Sequence, residues 1–96
     1  MVAKTDVMTA AHEIENALWE FVRPTPTTAK VWVFPNESGY LRALVASGGF
    51  KEMGLGERIE RVWAFLEETV SDEHLHYLAG VHPMDLEEYD ARVSEA

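Results

Sequence analysis

Residues 45–50 read V-A-S-G-G-F, residues 58–66 read R-I-E-R-V-W-A-F-L, residues 74–78 read H-L-H-Y-L and residues 83–89 read P-M-D-L-E-E-Y. This ordered series decides the fold. It predicts, in turn, the end of a strand with a glycine-rich turn, an amphipathic helix, a second strand and a capped helix. It indicates a fold more firmly than it indicates a chemistry.

The part of the chain before this series predicts a helix followed by a β-hairpin. Apolar residues recur at helical spacing over residues 7–22, which gives this helix one apolar face. Residues 23–28, R-P-T-P-T-T, end the helix, since proline lacks an amide hydrogen and restricts the residue before it. Residues 30–34 and 40–47 are rich in β-branched and aromatic side chains, and P-N-E-S-G separates them as a tight turn.

Within the series, the spacing predicts a helix that begins near Gly56. Residues 73–81 alternate as expected of a strand, which Pro83 would end. Asp85 followed three residues later by Glu88 is typical of a capping box at the start of the last helix. The predicted order of elements is therefore α-β-β-α-β-α.

This order predicts an α+β fold, a two-layer sandwich in which a three-stranded sheet carries the helices on one face. The alternation in the strands turns one set of side chains toward the helices: Val31, Val33, Leu41, Ala43, Val45, Leu75 and Tyr77. It turns another set to the opposite side: Trp32, Phe34, Tyr40, Leu44 and Leu78. This second set predicts an aromatic patch, which either binds a partner or is covered by another part of the chain.

Length and composition favour one compact cytoplasmic domain over residues 1–96. The chain has 96 residues, 47% of them hydrophobic, and no apolar run of the length that a membrane span needs. Its beginning lacks the basic-then-apolar order of a signal peptide. Because the chain has no cysteine, any iron–sulfur or zinc–thiolate site would have to take its sulfur ligands from a partner.

The charge of the chain is unevenly distributed. Residues 1–50 carry four basic and five acidic side chains, whereas residues 51–96 carry four and twelve, for a net charge of −9. Nucleic-acid binding depends on lysine and arginine side chains that neutralise phosphates, so a field of this sign disfavours it. The acidic half is either a solvated surface or a surface that meets a basic partner.

The motifs together resemble the BolA-like family. The similarity is carried by V-A-S-G-G-F at the end of the hairpin, Arg58 eight residues after Phe50, Trp63 five residues later, His76, and the ending L-E-E-Y. It covers nearly the whole chain, although each motif is short. The resemblance implies a fold related to the second type of KH domain. It also implies a small adaptor that partners a monothiol glutaredoxin in iron trafficking or its regulation; some members are linked to DNA binding.

The resemblance further implies a [2Fe–2S] cluster shared with the partner, with His76 as the metal ligand from this chain. Tyr40 stands where a second ligand would be expected, and Ile59 replaces the histidine of the helix motif. One imidazole alone cannot hold a cluster, so His76 would bind only together with ligands from the partner. His74 and His82 are further histidines near this position, and a hydrogen-bonded structural role for His76 remains the alternative.

No pattern in the sequence favours an enzyme. The adjacent acidic pairs diverge on their helices, the serines lack a nucleophile motif, and the glycines form no phosphate-binding loop. We therefore expect a non-enzymatic interaction protein that binds a glutaredoxin-like partner or itself as a homodimer. The alternative is a KH-like nucleic-acid-binding or regulatory domain. The expected interaction surface comprises Trp32, Phe34, Tyr40, Leu44 and His76.

Overall fold

The computed structural model describes residues 4–23 and 29–94 and has the predicted α+β architecture. Most of the predicted connector, residues 24–28, lies outside the described residues. Among residues 4–23 and 29–94, none of the helices combines the length and the apolar character that a membrane span requires. In chain order the elements are α1 (Lys4–Val22), β1 (Lys30–Pro35), β2 (Leu41–Ala46), a 3-10 turn (Gly48–Phe50), α2 (Leu55–Thr69), α3 (Asp72–Leu75), β3 (Leu78–Met84) and α4 (Leu86–Ser94).

The predicted hairpin is confirmed, with β1 antiparallel to β2. Its turn is held by Asn36, whose Oδ1 accepts hydrogen bonds from the amides of Ser38 and Tyr40 at 2.9 and 3.0 Å. A side chain that bonds its own backbone in this way fixes the direction of the chain through the turn. Gly39 has a φ of 85°, a left-handed conformation that a residue without a side chain adopts at little cost.

The sheet is mixed, with the strand order β1-β2-β3. β2 is central, since it pairs antiparallel with β1 and parallel with β3. Two parallel strands cannot be joined by a tight turn, so the chain crosses over between β2 and β3. The crossover contains α2 and α3.

One apolar cluster joins α1 and α2 to the inner face of the sheet. Phe50, which follows β2 in the 3-10 turn, is 2% exposed within this cluster. Burying a side chain of this size contributes about 1.5–3 kcal/mol to stability. The other fully buried large side chains come from both helices and from β2: Ile14, Leu18, Leu41, Val45, Val62 and Leu66.

The strand predicted at residues 73–81 is wrong over its first half, where the short helix α3 forms instead. Ser71 caps this helix, because its hydroxyl accepts a hydrogen bond from the amide of His74. The amide of Ser71 in turn donates to Glu13 of α1 at 3.0 Å. His74 therefore lies on a helix and His76 at its C-terminal cap, so the two do not alternate along a strand.

β3 contains a bulge that changes which side chains face the core. Leu41 of β2 pairs with Leu78. The next residue, Arg42, pairs with Gly80, which leaves Ala79 as an extra residue. The predicted exposure of Leu78 on the far side of the sheet is therefore wrong, since Leu78 is 7% exposed within the core cluster.

Pro83 lies inside β3, opposite Val45, so the prediction that it ends the strand is also wrong. β3 is at the edge of the sheet, where a residue without an amide hydrogen is tolerated. The ring of Pro83 is buried. Pro83 therefore serves as a buried apolar residue of the edge strand and does not end it.

The predicted capping box of α4 is confirmed and is connected to α2. The amide of Glu88 donates to Asp85 and the amide of Asp85 donates to Glu88, both at 2.8 Å. The guanidinium of Arg58, at the start of α2, lies 2.6 Å from Glu88 and 3.8 Å from Asp85. Its Nε also donates to the carbonyl of Met53 at 3.0 Å. Arg58 therefore connects α2, the preceding loop and α4.

We expect Arg58→Gln to lower the free energy of unfolding by about 2 kcal/mol, because the charge-assisted bond to the Met53 carbonyl is lost. The side chain of Arg58 is 8% exposed, so water does not replace the contact fully. Chemical denaturation followed by circular dichroism measures the change. Arg61→Gln on the same helix is the matched control, since its bond to Glu57 is exposed. Equal destabilisation by the two substitutions would contradict this role.

Candidate interaction site

The side of the sheet opposite the core cluster carries two cross-strand rows of side chains. Phe34, Arg42 and Gly80 are register partners in one row. Trp32, Leu44 and His82 are partners in the next. We call these six residues the open face. Its two aromatic residues are the most accessible members, with Trp32 55% and Phe34 42% exposed.

Arg42 and His82 form a polar contact at the centre of the open face. The two side chains meet between Nη1 of Arg42 and Nε2 of His82 at 2.9 Å. An arginine only donates, so Nε2 of His82 accepts and the remaining ring hydrogen is on Nδ1. His82 is therefore a neutral imidazole in this arrangement. Gly80 has no side chain, and a Cβ placed there would lie 3.7 Å from the Arg42 guanidinium.

The pKa of His82 is lowered from its ordinary value of 6.5, chiefly by burial of the ring and further by the positive charges of Arg42 and Arg92. The folded state thus holds fewer protons at His82 than the unfolded chain does. Stability from this residue is complete above pH 6.5 and is lost as the pH falls below that value. The hydrogen bond between Arg42 and His82 therefore forms when the His82 ring is neutral.

His76 lies at the end of the sheet that also carries the hairpin turn. Its side chain is exposed, and no described residue makes a hydrogen bond or ion pair with its ring. The ring centroid of Tyr77 is 6.2 Å away. The carbonyl of Tyr77 accepts a hydrogen bond from the amide of Leu41 at 2.7 Å, and Leu41 directly follows the exposed Tyr40. The backbone segments that carry His76 and Tyr40 therefore lie next to each other at this end of the sheet.

The helix that presents His76 is fixed to α1 by Glu13. One carboxylate oxygen of Glu13 accepts the Nδ1 hydrogen of His74, and the other accepts the amide of Ser71. These contacts lower the pKa of the Glu13 carboxyl, first through the Ser71 amide and then through His74. His74 is therefore used to hold α3 in place and is not directed toward the position of His76.

The residues near His76 do not fit an iron–sulfur cluster by themselves. Within the described ranges, no group of three histidine, cysteine, aspartate or glutamate side chains is arranged to hold a metal ion. His74 and His82 have other partners, and Ile59 packs partly buried against the core. At this end of the sheet the chain offers the single imidazole of His76. A cluster needs several ligands, so the others would have to come from elsewhere.

A cavity of about 380 Å³ lies apart from this end of the sheet, among residues of α1, the 3-10 turn and α2. Its lining includes three phenylalanines, of which Phe21 and Phe65 are in edge contact at 5.2 Å between ring centroids. Two of its polar lining residues are engaged in structure, since Ser47 caps the 3-10 turn and Arg61 bonds to Glu57. This cavity does not bring together an acid–base pair of the kind that a catalytic site needs.

The residues predicted for an interaction surface are divided between two places. Trp32, Phe34 and Leu44 lie on the open face, with Leu44 partly exposed, whereas His76 and Tyr40 are at the sheet end. The other three members of the open face were not included in the predicted interaction surface: Arg42, Gly80 and His82. The alternation that exposes Leu44 also exposes Arg42, so the sequence did contain that signal. The position of His82 depends on the bulge, which has no comparable local signal.

We expect the ring of His82 to titrate below pH 6.5, and Arg42→Gln to raise its pKa toward that value. The substitution removes both a nearby positive charge and the donor that requires a neutral Nε2. Histidine Cε1–H chemical shifts followed by NMR from pH 4.5 to 8 measure this. Arg61→Gln serves as the control. An unchanged or lower pKa in Arg42→Gln would contradict the assigned tautomer.

We expect Glu13→Gln to loosen α3, because the amide keeps an acceptor for Ser71 but loses the charge that binds His74. The hydrogen-exchange protection factors of the amides should fall over residues 72–77. The wild-type protein should show the same change as the pH falls below 4.5, where the lowered pKa of Glu13 makes its contribution to stability disappear. Glu15→Gln on the same helix should leave exchange unchanged. Equal protection in all three proteins would exclude the anchoring role.

No family model, curated protein or solved structure matches this chain. The function is therefore inferred from the chemistry of the open face and of the His76 end, together with the resemblance in motifs and element order.

Proposed function

We propose that this chain is a non-enzymatic, BolA-like interaction domain that binds a protein partner at the end of the sheet carrying His76. The observation that supports this most directly is the state of His76, which is exposed and whose ring makes no hydrogen bond or ion pair with the described residues. A histidine with a purely structural role would be expected to have a bonded ring nitrogen. An accessible imidazole on an anchored helix is suited to bind a group on another molecule.

The surroundings of His76 support recognition of a partner more than catalysis. α3 is capped by Ser71 and fixed by Glu13, so His76 is presented from a defined position. Tyr40 adds an exposed aromatic ring at the hairpin turn. A rigid support with an accessible ligand and an aromatic neighbour provides contact area at low entropic cost. Such an arrangement binds a group without supplying the acid–base pair that would transform it.

The proposed partner is a monothiol glutaredoxin, as the resemblance implies, and the proposed setting is iron–sulfur or iron homeostasis. The observed succession of a helix, a hairpin, a helical crossover, a third strand and a final helix agrees with the order on which that resemblance rests. A [2Fe–2S] cluster supplies open coordination positions that thiolates and imidazoles fill. In this proposal the partner holds the cluster, and His76 is the one ligand that this chain adds.

The test is to mix the protein with a monothiol glutaredoxin that carries a reconstituted [2Fe–2S] cluster and to record visible absorption and circular dichroism. We expect the wild-type protein to change both spectra, because replacement of a cluster ligand by an imidazole alters its electronic transitions. His76→Ala should abolish the change. His12→Ala, which removes an exposed histidine from α1, is the matched control and should behave as the wild type.

The outcomes separate ligation from binding. Size-exclusion chromatography of the same mixtures, with and without the cluster, shows whether a complex forms. A complex that forms with His76→Ala but lacks the spectral change supports ligation by His76. The same spectral change in the wild type and in His76→Ala excludes His76 as the ligand. The absence of both a complex and a spectral change with the wild type would overturn the proposed function.

A further inference from the structure

The open face differs in charge from the rest of the chain. The three strands carry no acidic residue, and the charged side chains on them are Lys30 and Arg42. The whole chain, in contrast, has 17 acidic and 8 basic residues. The charge of Arg92 in α4 also reaches His82. The sheet surface is therefore a basic and aromatic area on an acidic protein.

Arg42 differs in its partners from three of the four other arginines. Arg23, Arg58 and Arg61 each contact a carboxylate within 4.0 Å. The partly buried Arg42 instead meets neutral His82, and none of the described carboxylates forms a salt bridge with it. A guanidinium has five N–H donors, so one bond to an imidazole leaves most of them available. Carboxylates are the groups that fit this fork of donors best, because they accept two parallel hydrogen bonds.

The neighbours of Arg42 leave space for such a group. Gly80, its register partner on β3, has no side chain to cover the guanidinium. Phe34, its partner on β1, is exposed and forms an apolar side to the same row. In the next row, Trp32 and Leu44 offer apolar contact. The two rows are separated by two residues along each strand, or about 7 Å.

This spacing matches that of an extended peptide, in which side chains on one face also recur about every 7 Å. We propose that the open face binds an extended acidic segment of a partner protein, with one carboxylate on Arg42 and an apolar side chain two positions away against Trp32 and Leu44. His82 positions Arg42 through the bond between Nε2 and Nη1. The net charge of the protein, −9, repels an acidic segment at long range. Binding therefore depends on the short-range contacts with Arg42, Trp32 and Leu44.

The same observations disfavour single-stranded nucleic acid as the occupant. Nucleic-acid grooves combine stacking rings with a row of cations that follows the phosphates. Here the strands provide two formal cations, and the surrounding helices are acidic. A single carboxylate needs one well-placed guanidinium, which Arg42 provides.

The test uses two soluble ten-residue peptides with the central sequence glutamate-glycine-leucine-glycine-glutamate, or the same sequence with glutamine for glutamate, flanked by serine and glycine. Binding is followed by Trp indole and backbone amide shifts in NMR spectra of the metal-free protein. We expect the acidic peptide to shift the signals of Trp32, Arg42 and Gly80. Arg42→Gln should weaken binding at least about tenfold, which corresponds to about 1.4 kcal/mol. Arg61→Gln is the matched control and should bind as the wild type.

Several results would overturn the proposal. The glutamine peptide could bind as well as the acidic one, or Arg42→Gln could bind as well as the wild type. Tighter binding of a ten-nucleotide thymidine strand, lost in Arg42→Gln, would assign the open face to nucleic acid instead. A dimer in sedimentation that Trp32→Asp dissociates would show that a second copy occupies the face. Because no metal or glutaredoxin is present, failure of this test is distinct from failure of the proposed role of His76.

Discussion

The pairing of β2 on both of its edges is the constraint on which the rest of the structure depends. Because β2 is central, its alternate residues have two separate tasks. Leu41, Ala43 and Val45 are buried and join the sheet to α1 and α2. Arg42 and Leu44 alternate with these buried residues, point to the other side of the sheet and form the middle of the open face. Core and surface chemistry are therefore set by a single strand of six residues.

Elements specified by neighbouring residues could be predicted from the sequence. The two long helices follow from apolar spacing, the hairpin from its turn residues, and the start of α4 from the Asp85–Glu88 capping box. α3 could not be predicted in the same way. It depends on Glu13, which is distant in the chain and bonds both Ser71 and His74. The local alternation of apolar and polar residues over 73–77 is typical of a strand, but the tertiary contacts with Glu13 stabilise a helix there instead.

The candidate site shows the same division between local and distant information. The exposure of Trp32 and Phe34 follows from alternation within β1, so the aromatic part of the surface was accessible to sequence reasoning. The polar part was not, since Arg42 and His82 meet across two strands whose register is set by the bulge. An arginine in an acidic chain would ordinarily be assigned a carboxylate partner nearby. Its actual neighbour is a neutral imidazole, which only the register of β3 makes possible.

The bulge at Ala79 also determines where the length of β3 can change. Downstream of it, Val81 and Pro83 face the core, while Gly80 and His82 face outward. Ala79 has no partner in β2, so its loss would leave a regular strand in which Leu78 still faces inward and Gly80 outward. Loss of Val81, from the paired part of the strand, would instead turn His82 toward the apolar core and Pro83 toward solvent. The bulge is therefore the place where β3 tolerates the loss of one residue.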